Sequence, residues 1–136
     1  MTDLLRMTAS PELLTGASVF LQPLSQVVEI AHIDQVDARF YLYSLTGGTT
    51  VTFELLTAMD GKSEDDWESL GSLTLLPSGT TVPKFKSTTF PQPILASTAD
   101  PPVPLLRYLR WRVTLNGVGA TAATIQILAI LRRKGL

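Results

Sequence analysis

Four runs in this chain alternate apolar and polar residues with a period of two, the spacing that sends successive side chains to opposite faces of a strand. Residues 38–44 set Phe40 and Leu42 against Arg39, Tyr41 and Tyr43, and residues 49–57 set Val51, Phe53 and Leu55 against Thr50, Thr52 and Glu54. Residues 108–115 set Leu109, Trp111, Val113 and Leu115 against Tyr108, Arg110, Arg112 and Thr114. The fourth run, 124–131, carries Ile125, Ile127, Ala129 and Leu131 on one side and Gln126, Leu128 and Ile130 on the other, so it is apolar on both faces. Such a strand must be covered on both sides, centrally in a sandwich or by a neighbouring subunit. The period-2 registration puts Trp111 in the core with Leu109 and Val113.

Thr46-Gly47-Gly48 supplies the positive φ of a tight connection, which predicts a hairpin between 38–44 and 49–57. Asn116-Gly117 opens the turn that leads from 108–115 toward 124–131. Shorter strands are expected at 19–21 and 27–30 with Pro23 as a breaker between them, at 67–70 and 73–76, and at the edge over 84–90. Five prolines hold 91–106 extended, outside any central ladder. Helical periodicity is scarce: Ser10-Pro11-Glu12-Leu13-Leu14-Thr15-Gly16 has the N-cap, first-turn proline and closing glycine of about one turn. Short strands with a turn signal every 8 to 12 residues predict an all-β chain, an antiparallel β-sandwich of jelly-roll type. We divide it into an N-terminal arm, 1–18, and a sandwich domain, 19–136.

A length of 136 residues fits one domain. With 45% hydrophobic and 17% charged residues, the composition lies far from that of a disordered chain, and its low charge leaves apolar surface for a partner. There is no cysteine, hence no disulfide framework or thiolate metal site. The N-terminus lacks a basic leader followed by an apolar stretch, so no signal peptide is expected. The longest purely apolar run, 127–131, falls far short of the roughly 20 residues that cross a bilayer as a helix. A formal charge of −1 gives no general attraction for nucleic acid.

That small net charge hides a polarity. Residues 1–100 hold five Lys and Arg against twelve Asp and Glu, whereas residues 101–136 hold six basic residues and no acidic one. Copies of the chain are therefore plausible electrostatic partners for each other.

Few residues point to chemistry. His32 is the only histidine, and although Asp34 and Asp37 stand near it, no nucleophile elbow or oxyanion element accompanies them; it reads as a loop histidine. Asp60, Glu64, Asp65 and Asp66 have oxygens enough for Ca²⁺, but their spacing is not that of an EF-hand and a solvated turn explains them. No catalytic residue, metal ligand or cofactor is assigned. Aromatic residues sharing a face with arginines are the composition of protein interfaces and of sugar-stacking surfaces. The candidate interface residues are Leu4, Leu5, Leu13 and Leu14 of the arm, Tyr41, Tyr43 and Tyr108, and the basic set Arg110, Arg112, Arg132 and Arg133. The basic set would meet Glu64, Asp65 and Asp66 of a neighbouring copy.

Two pieces of the sequence carry a family likeness. The order Thr57-Ala58-Met59-Asp60-Gly61, Asp66-Trp67-Glu68, and then Arg107-Tyr108-Leu109-Arg110-Trp111 resembles discoidin-like (F5/8 type C) sandwiches, in which a DG-x-W turn and an R-Y-x-R strand recur. That resemblance implies a carbohydrate-binding or host-adhesion module working through Tyr41, Tyr43 and Trp67. The low-charge, cysteine-free, strand-rich chain also resembles the small β-sandwich structural proteins of tailed bacteriophages, such as decoration, capsid-accessory and tail-surface subunits. This second resemblance implies a non-enzymatic virion subunit, assembled in the host cytoplasm. It implies as partners copies of itself and other virion proteins, with a glycan as a further possibility and no membrane.

Overall fold

The computed structural model describes residues 2–8, 12–31, 33–76, 86–89 and 105–133, and for 2–5, 34, 35, 86–89 and 133 the backbone alone. Ten strands run in order through these residues: β1 (Thr2–Arg6), β2 (Glu12–Thr15), β3 (Val19–Leu21), β4 (Val28–Glu29), β5 (Ile33–Thr46), β6 (Thr50–Ala58), β7 (Glu68–Leu75), β8 (Lys86–Thr89), β9 (Tyr108–Asn116) and β10 (Ala122–Arg133). A single 3₁₀ turn at Leu24–Gln26 follows Pro23. The first sheet has the order β1-β10-β5-β8, with β2 also on β10; the second has the order β3-β9-β6-β7, with β4 also on β9. Every pairing is antiparallel. With β1 and β2 counted as one interrupted strand, and β3 and β4 as another, the chain passes between the sheets in the order of a jelly roll.

The two sheets are pressed together by the faces that the alternation marks as apolar. Phe40, Leu42, Ile125, Ile127 and Ala129 from the first sheet meet Val51, Phe53, Leu55, Leu109, Trp111 and Val113 from the second, all buried. Each large side chain so buried contributes about 1.5–3 kcal/mol. The Phe40 and Phe53 rings stack across the gap, 4.9 Å between centroids and 24° between planes. Trp111 is in the core as expected, although its indole N–H has no acceptor among the described residues.

Three local expectations are corrected. The runs 38–44 and 49–57 are not a hairpin, because β5 lies in the first sheet and β6 in the second, so the glycine turn carries the chain across the sandwich. The turn after Asn116 makes the same crossing, from β9 to β10. Face-to-face placement lets Phe40 pack on Phe53; a hairpin would set the two strands edge to edge in one sheet. Residues 12–15 form a strand rather than a helical turn: β2 pairs with β10, Leu14 opposite Ala123, and Leu14 is buried. This tertiary contact outweighs the local capping signals. Finally, the segment read as an arm supplies strands, since both β1 and β2 pair with β10.

The two crossovers meet backbone to backbone. Gly47 and Gly48 have φ of +68° and +70°, and a Cβ built on Gly47 would lie 1.9 Å from the Gly119 carbonyl oxygen. A Cβ on Gly117, at φ +101°, would lie 2.7 Å from the Thr49 nitrogen. Hydrogen bonds from Thr49 N to Asn116 O (2.8 Å) and from Thr121 N to Thr46 O (3.0 Å) close the contact. Gly16 also has positive φ, +92°, yet has open space around it. Gly47→Ala is therefore expected to cost at least about 2 kcal/mol more than Gly16→Ala in urea denaturation, because both lose conformational freedom but only the first creates a clash. Equal losses would show that the crossovers separate freely.

Candidate interaction surface

The outer faces of the two sheets differ in chemistry. On the second sheet, β6, β7 and β9 present threonine, serine, asparagine and one ion pair, and these groups bond to each other. Asn116 Nδ2 donates to Thr50 Oγ1 (3.0 Å) and Thr52 Oγ1 (2.9 Å), Thr52 and Thr74 share a hydrogen bond of 3.0 Å, and Ser69 donates to Glu54. Arg112 Nε donates to Glu54 Oε1 at 2.6 Å, directly across the strand pair. Cross-strand pairs of this kind hold the sheet together.

One end of that face is roofed by the loop 59–67. Beneath it Leu56 is buried although it lies on the outward side of β6, opposite Arg110. Arg110 organises the roof: its side chain is 3% exposed, Nε donates to the Gln22 carbonyl (2.6 Å), and NH1 and NH2 donate to the two Glu64 oxygens (2.8 and 3.2 Å). Its guanidinium lies 5.5 Å from the centre of the Trp67 ring, a stacked cation–π contact. Trp67 Nε1 donates to Ser63 O, Asp60 accepts from Lys62 N, and Ser63 Oγ accepts from Asp65 N, so the loop is tied internally as well. Tyr108 closes the far side, its ring against Gly61 and under Arg107. Gln22 is buried and bonds to Gln26 O and Trp111 N. Sequence reasoning missed it; its only signal is an amide directly after the apolar run 19–21. The two sequence pieces that carry the discoidin likeness thus meet here, Tyr108 on Gly61 and Arg110 on Trp67.

Four arginines of the basic C-terminal stretch find acidic partners within the chain. Arg110 pairs with Glu64, Arg112 with Glu54, Arg107 with Glu29 at 3.2 Å, and Arg132 with Asp37 at 4.0 Å. Asp65 and Asp66 are exposed, with Asp66 at φ +66°. Arg133 lies in β10 opposite Ile33. His32 lies outside the described residues. Among the described residues no cluster of His, Asp and Glu is arranged to hold a metal.

The outer face of the first sheet sets apolar and aromatic side chains beside Arg39, Asp37 and Arg132. Tyr41 and Tyr43 lie half-buried on β5 with rings 6.4 Å apart and 20° between planes, and the Tyr43 hydroxyl donates to Gln126 Oε1 at 2.7 Å. Leu128 and Ile130 stand beside them on β10, half-buried, opposite Arg39 and Asp37. The backbone of Leu4 in β1 lies opposite Ile130, and that of Leu5 opposite Ala129. Leu13, opposite Thr124, is 64% exposed, while its neighbour Leu14 belongs to the core. The structure therefore gathers Leu13, Tyr41 and Tyr43 on one sheet face and keeps Tyr108, Arg110, Arg112 and Glu64 apart, on the other.

A two-sheet jelly roll is the class this topology defines, and solved structures share it. VP2 protein of infectious bursal disease virus, in derived T=1 particles, superposes with a TM-score of 0.62 at 10% identity, over 99% of this chain and 32% of that one. The T13 viral particle of the same virus gives 0.59 at 9% identity, over 99% and 31%. The K1 cleaved adhesin domain of Lys-gingipain from Porphyromonas gingivalis gives 0.50 at 7% identity, over 86% and 63%. The chain spans about a third of the length of the viral proteins it matches. At these identities the likeness establishes the fold, and it carries neither a phage nor a discoidin family. No protein-family model and no curated protein matches the chain.

Two measurements test the roof. Arg110→Ala is expected to cost about 2 kcal/mol or more, since it strands the buried Gln22 carbonyl and uncovers Leu56, and Arg110→Lys should not restore it because one ammonium cannot reach all three oxygens. The side-chain hydrogen bond from Arg110 holds the Glu64 carboxyl below its ordinary value of 4.5, with desolvation opposing and the guanidinium charge adding to it. A carboxylate with a lowered folded-state pKa stabilises fully above its unfolded value, and that contribution fades as pH falls through the lowered one. The Trp67 indole N–H resonance should accordingly shift in acid as Glu64 is protonated, at a lower pH than an unpaired glutamate titrates; a Glu64→Gln variant should lose that acid-dependent step.

Proposed function

We propose that this chain is a non-enzymatic structural subunit of a virion or virus-like particle, of the decoration, capsid-accessory or tail-surface kind, that associates with copies of itself. One observation carries the reading: the polar groups on the outer face of the second sheet bond to one another, whereas Leu13, Tyr41, Tyr43, Leu128 and Ile130 give the outer face of the first sheet a partly exposed apolar strip beside Arg39 and Asp37. Burying such a strip against a sibling removes apolar area from water. Similarity in fold to VP2 in T=1 particles supports the same reading.

Because burial of apolar area is not screened by salt, association is expected to persist when salt is raised. Sedimentation velocity across the micromolar range should show concentration-dependent assembly. Ile130→Lys, which sets a cation opposite Asp37, should weaken assembly at least tenfold while the chain remains folded. Thr74→Lys, on the other sheet, should leave it unchanged. A monomer at every concentration would overturn the proposal.

The stacked pair Tyr41 and Tyr43 favours a second reading, a carbohydrate-binding or host-adhesion module, in keeping with the fold likeness to a gingipain adhesin domain. Trp67 contributes little to it, because Arg110 stacks on its ring. Glycan-array binding lost in Tyr41→Ala, from a chain that stays monomeric, would put this reading first.

A further inference from the structure

Folding leaves two arginines without an acid. Arg107, Arg110, Arg112 and Arg132 each pair with a Glu or Asp, whereas Arg6 and Arg39 have no acidic partner among the described residues. The strand register sets these two in one row. Arg6 of β1 lies opposite Leu128 of β10, and Leu128 lies opposite Arg39 of β5, so the outer face of the first sheet reads Arg6, Leu128, Arg39 from strand to strand. With neighbouring strands about 4.8 Å apart, the two arginine Cα atoms are about 10 Å apart. Both arginines are exposed, Leu128 between them is half-buried, and Tyr41 stands on the same face two residues beyond Arg39. The patch is an apolar strip with a cation on each side.

The complementary surface is on the same chain. In the loop 59–67, Arg110 neutralises Glu64, and what remains is Asp60, Asp65 and Asp66 against Lys62, an excess of two negative charges that equals the two cations. Those three aspartates are exposed and have no cationic partner among the described residues. Met59, 64% exposed, adds an apolar side chain at the head of the loop. The loop is also held in shape before any partner arrives, by Arg110 on Glu64, by Trp67 Nε1 on Ser63 O and by Asp65 N on Ser63 Oγ. Docking it therefore loses little conformational freedom.

The two surfaces cannot meet within one copy, because the loop roofs the outer side of the second sheet and the arginine row lies on the outer side of the first. We infer that the loop 59–67 of one copy docks on the first-sheet face of the next, with Met59 against the strip around Leu128 and Tyr41 and the aspartates beside Arg6 and Arg39. Nucleic acid fits the face less well, since Asp37 stands in the adjoining row, opposite Ile130, where a phosphate backbone would run over it. A contact between two different patches is heterologous: each copy keeps one loop and one face to offer, and copies add head to tail until a ring closes. Apolar burial holds such a contact, while the charges steer the loop onto the face and fix its register. The inference deepens the reading of the chain as a self-associating subunit and rests on it.

Charge exchange tests the contact. Arg39→Glu and Asp65→Lys, both at exposed positions, are each expected to weaken assembly in sedimentation velocity at least about tenfold, with the urea unfolding midpoint unmoved. An equimolar mixture of the two variants is expected to assemble again, since each altered patch then faces one of opposite sign and each unaltered patch faces its natural counterpart. Should wild-type chain assemble while either variant assembles as well as it does, or while the mixture stays dissociated, the inference is overturned and the proposed function stands. A wild-type chain that never assembles overturns both. Binding of polygalacturonate to the monomer, lost in Arg39→Glu and kept in Asp65→Lys, would assign the arginines to sugar carboxylates and overturn the inference as well.

Discussion

Two chain crossings touch backbone to backbone at one end of the sandwich, and the relative position of the sheets depends on that touch. Gly47 and Gly48 admit Gly119, Asn116 and Ala120 at distances no side chain allows. Once the crossings are that close, β5 and β10 pair in one sheet and β6 and β9 in the other, with the Phe40 and Phe53 rings stacked between them. A sandwich whose sheets slid even slightly would lose both the hydrogen bonds of the crossings and the interdigitation of the core, because protein interiors are close-packed.

Electrostatics in this molecule is chiefly an internal matter. The uneven distribution of charge along the sequence looks like an invitation to another copy, but folding lays four arginines of 101–136 over acidic residues that come earlier in the chain. Arg110 is the extreme case: a guanidinium on the nominally wet face of β9 becomes buried because the loop 59–67 folds over it, and Glu64 and the Gln22 carbonyl then serve as its solvent. Such a pair is weak evidence for net stability but strong evidence for a unique loop position, since few other groups satisfy a buried fork of donors.

The inward faces of β5, β6, β9 and β10 were legible in the sequence because burial of alternate residues is a local pattern, and Trp111 followed from its phase. The all-β sandwich was legible from the same pattern. Which strand neighbours which was not. Alternation is identical whether two consecutive strands lie side by side or face each other across a core, and Gly47-Gly48 satisfies positive φ in either arrangement. The strand at 12–15 was hidden by an N-terminal proline and a closing glycine, helix signals of about the strength that one pairing with β10 overrides. Arg110 stood out as a candidate, yet its partners lie 46 and 88 residues away, a separation that no short-range pattern encodes.

Strand β10 occupies the middle of its sheet, with β1 and β2 along one edge and β5 along the other. It is also the last of the ten to leave the ribosome. At roughly 5–20 residues per second, several seconds separate the emergence of β5 from that of β10. Throughout that interval the nascent first sheet holds an open slot bordered by unsatisfied amides and carbonyls, which only a strand with apolar residues on both faces fills well. An unpaired strand edge of that kind is a template for other chains, and the arrival of β10 is what closes it.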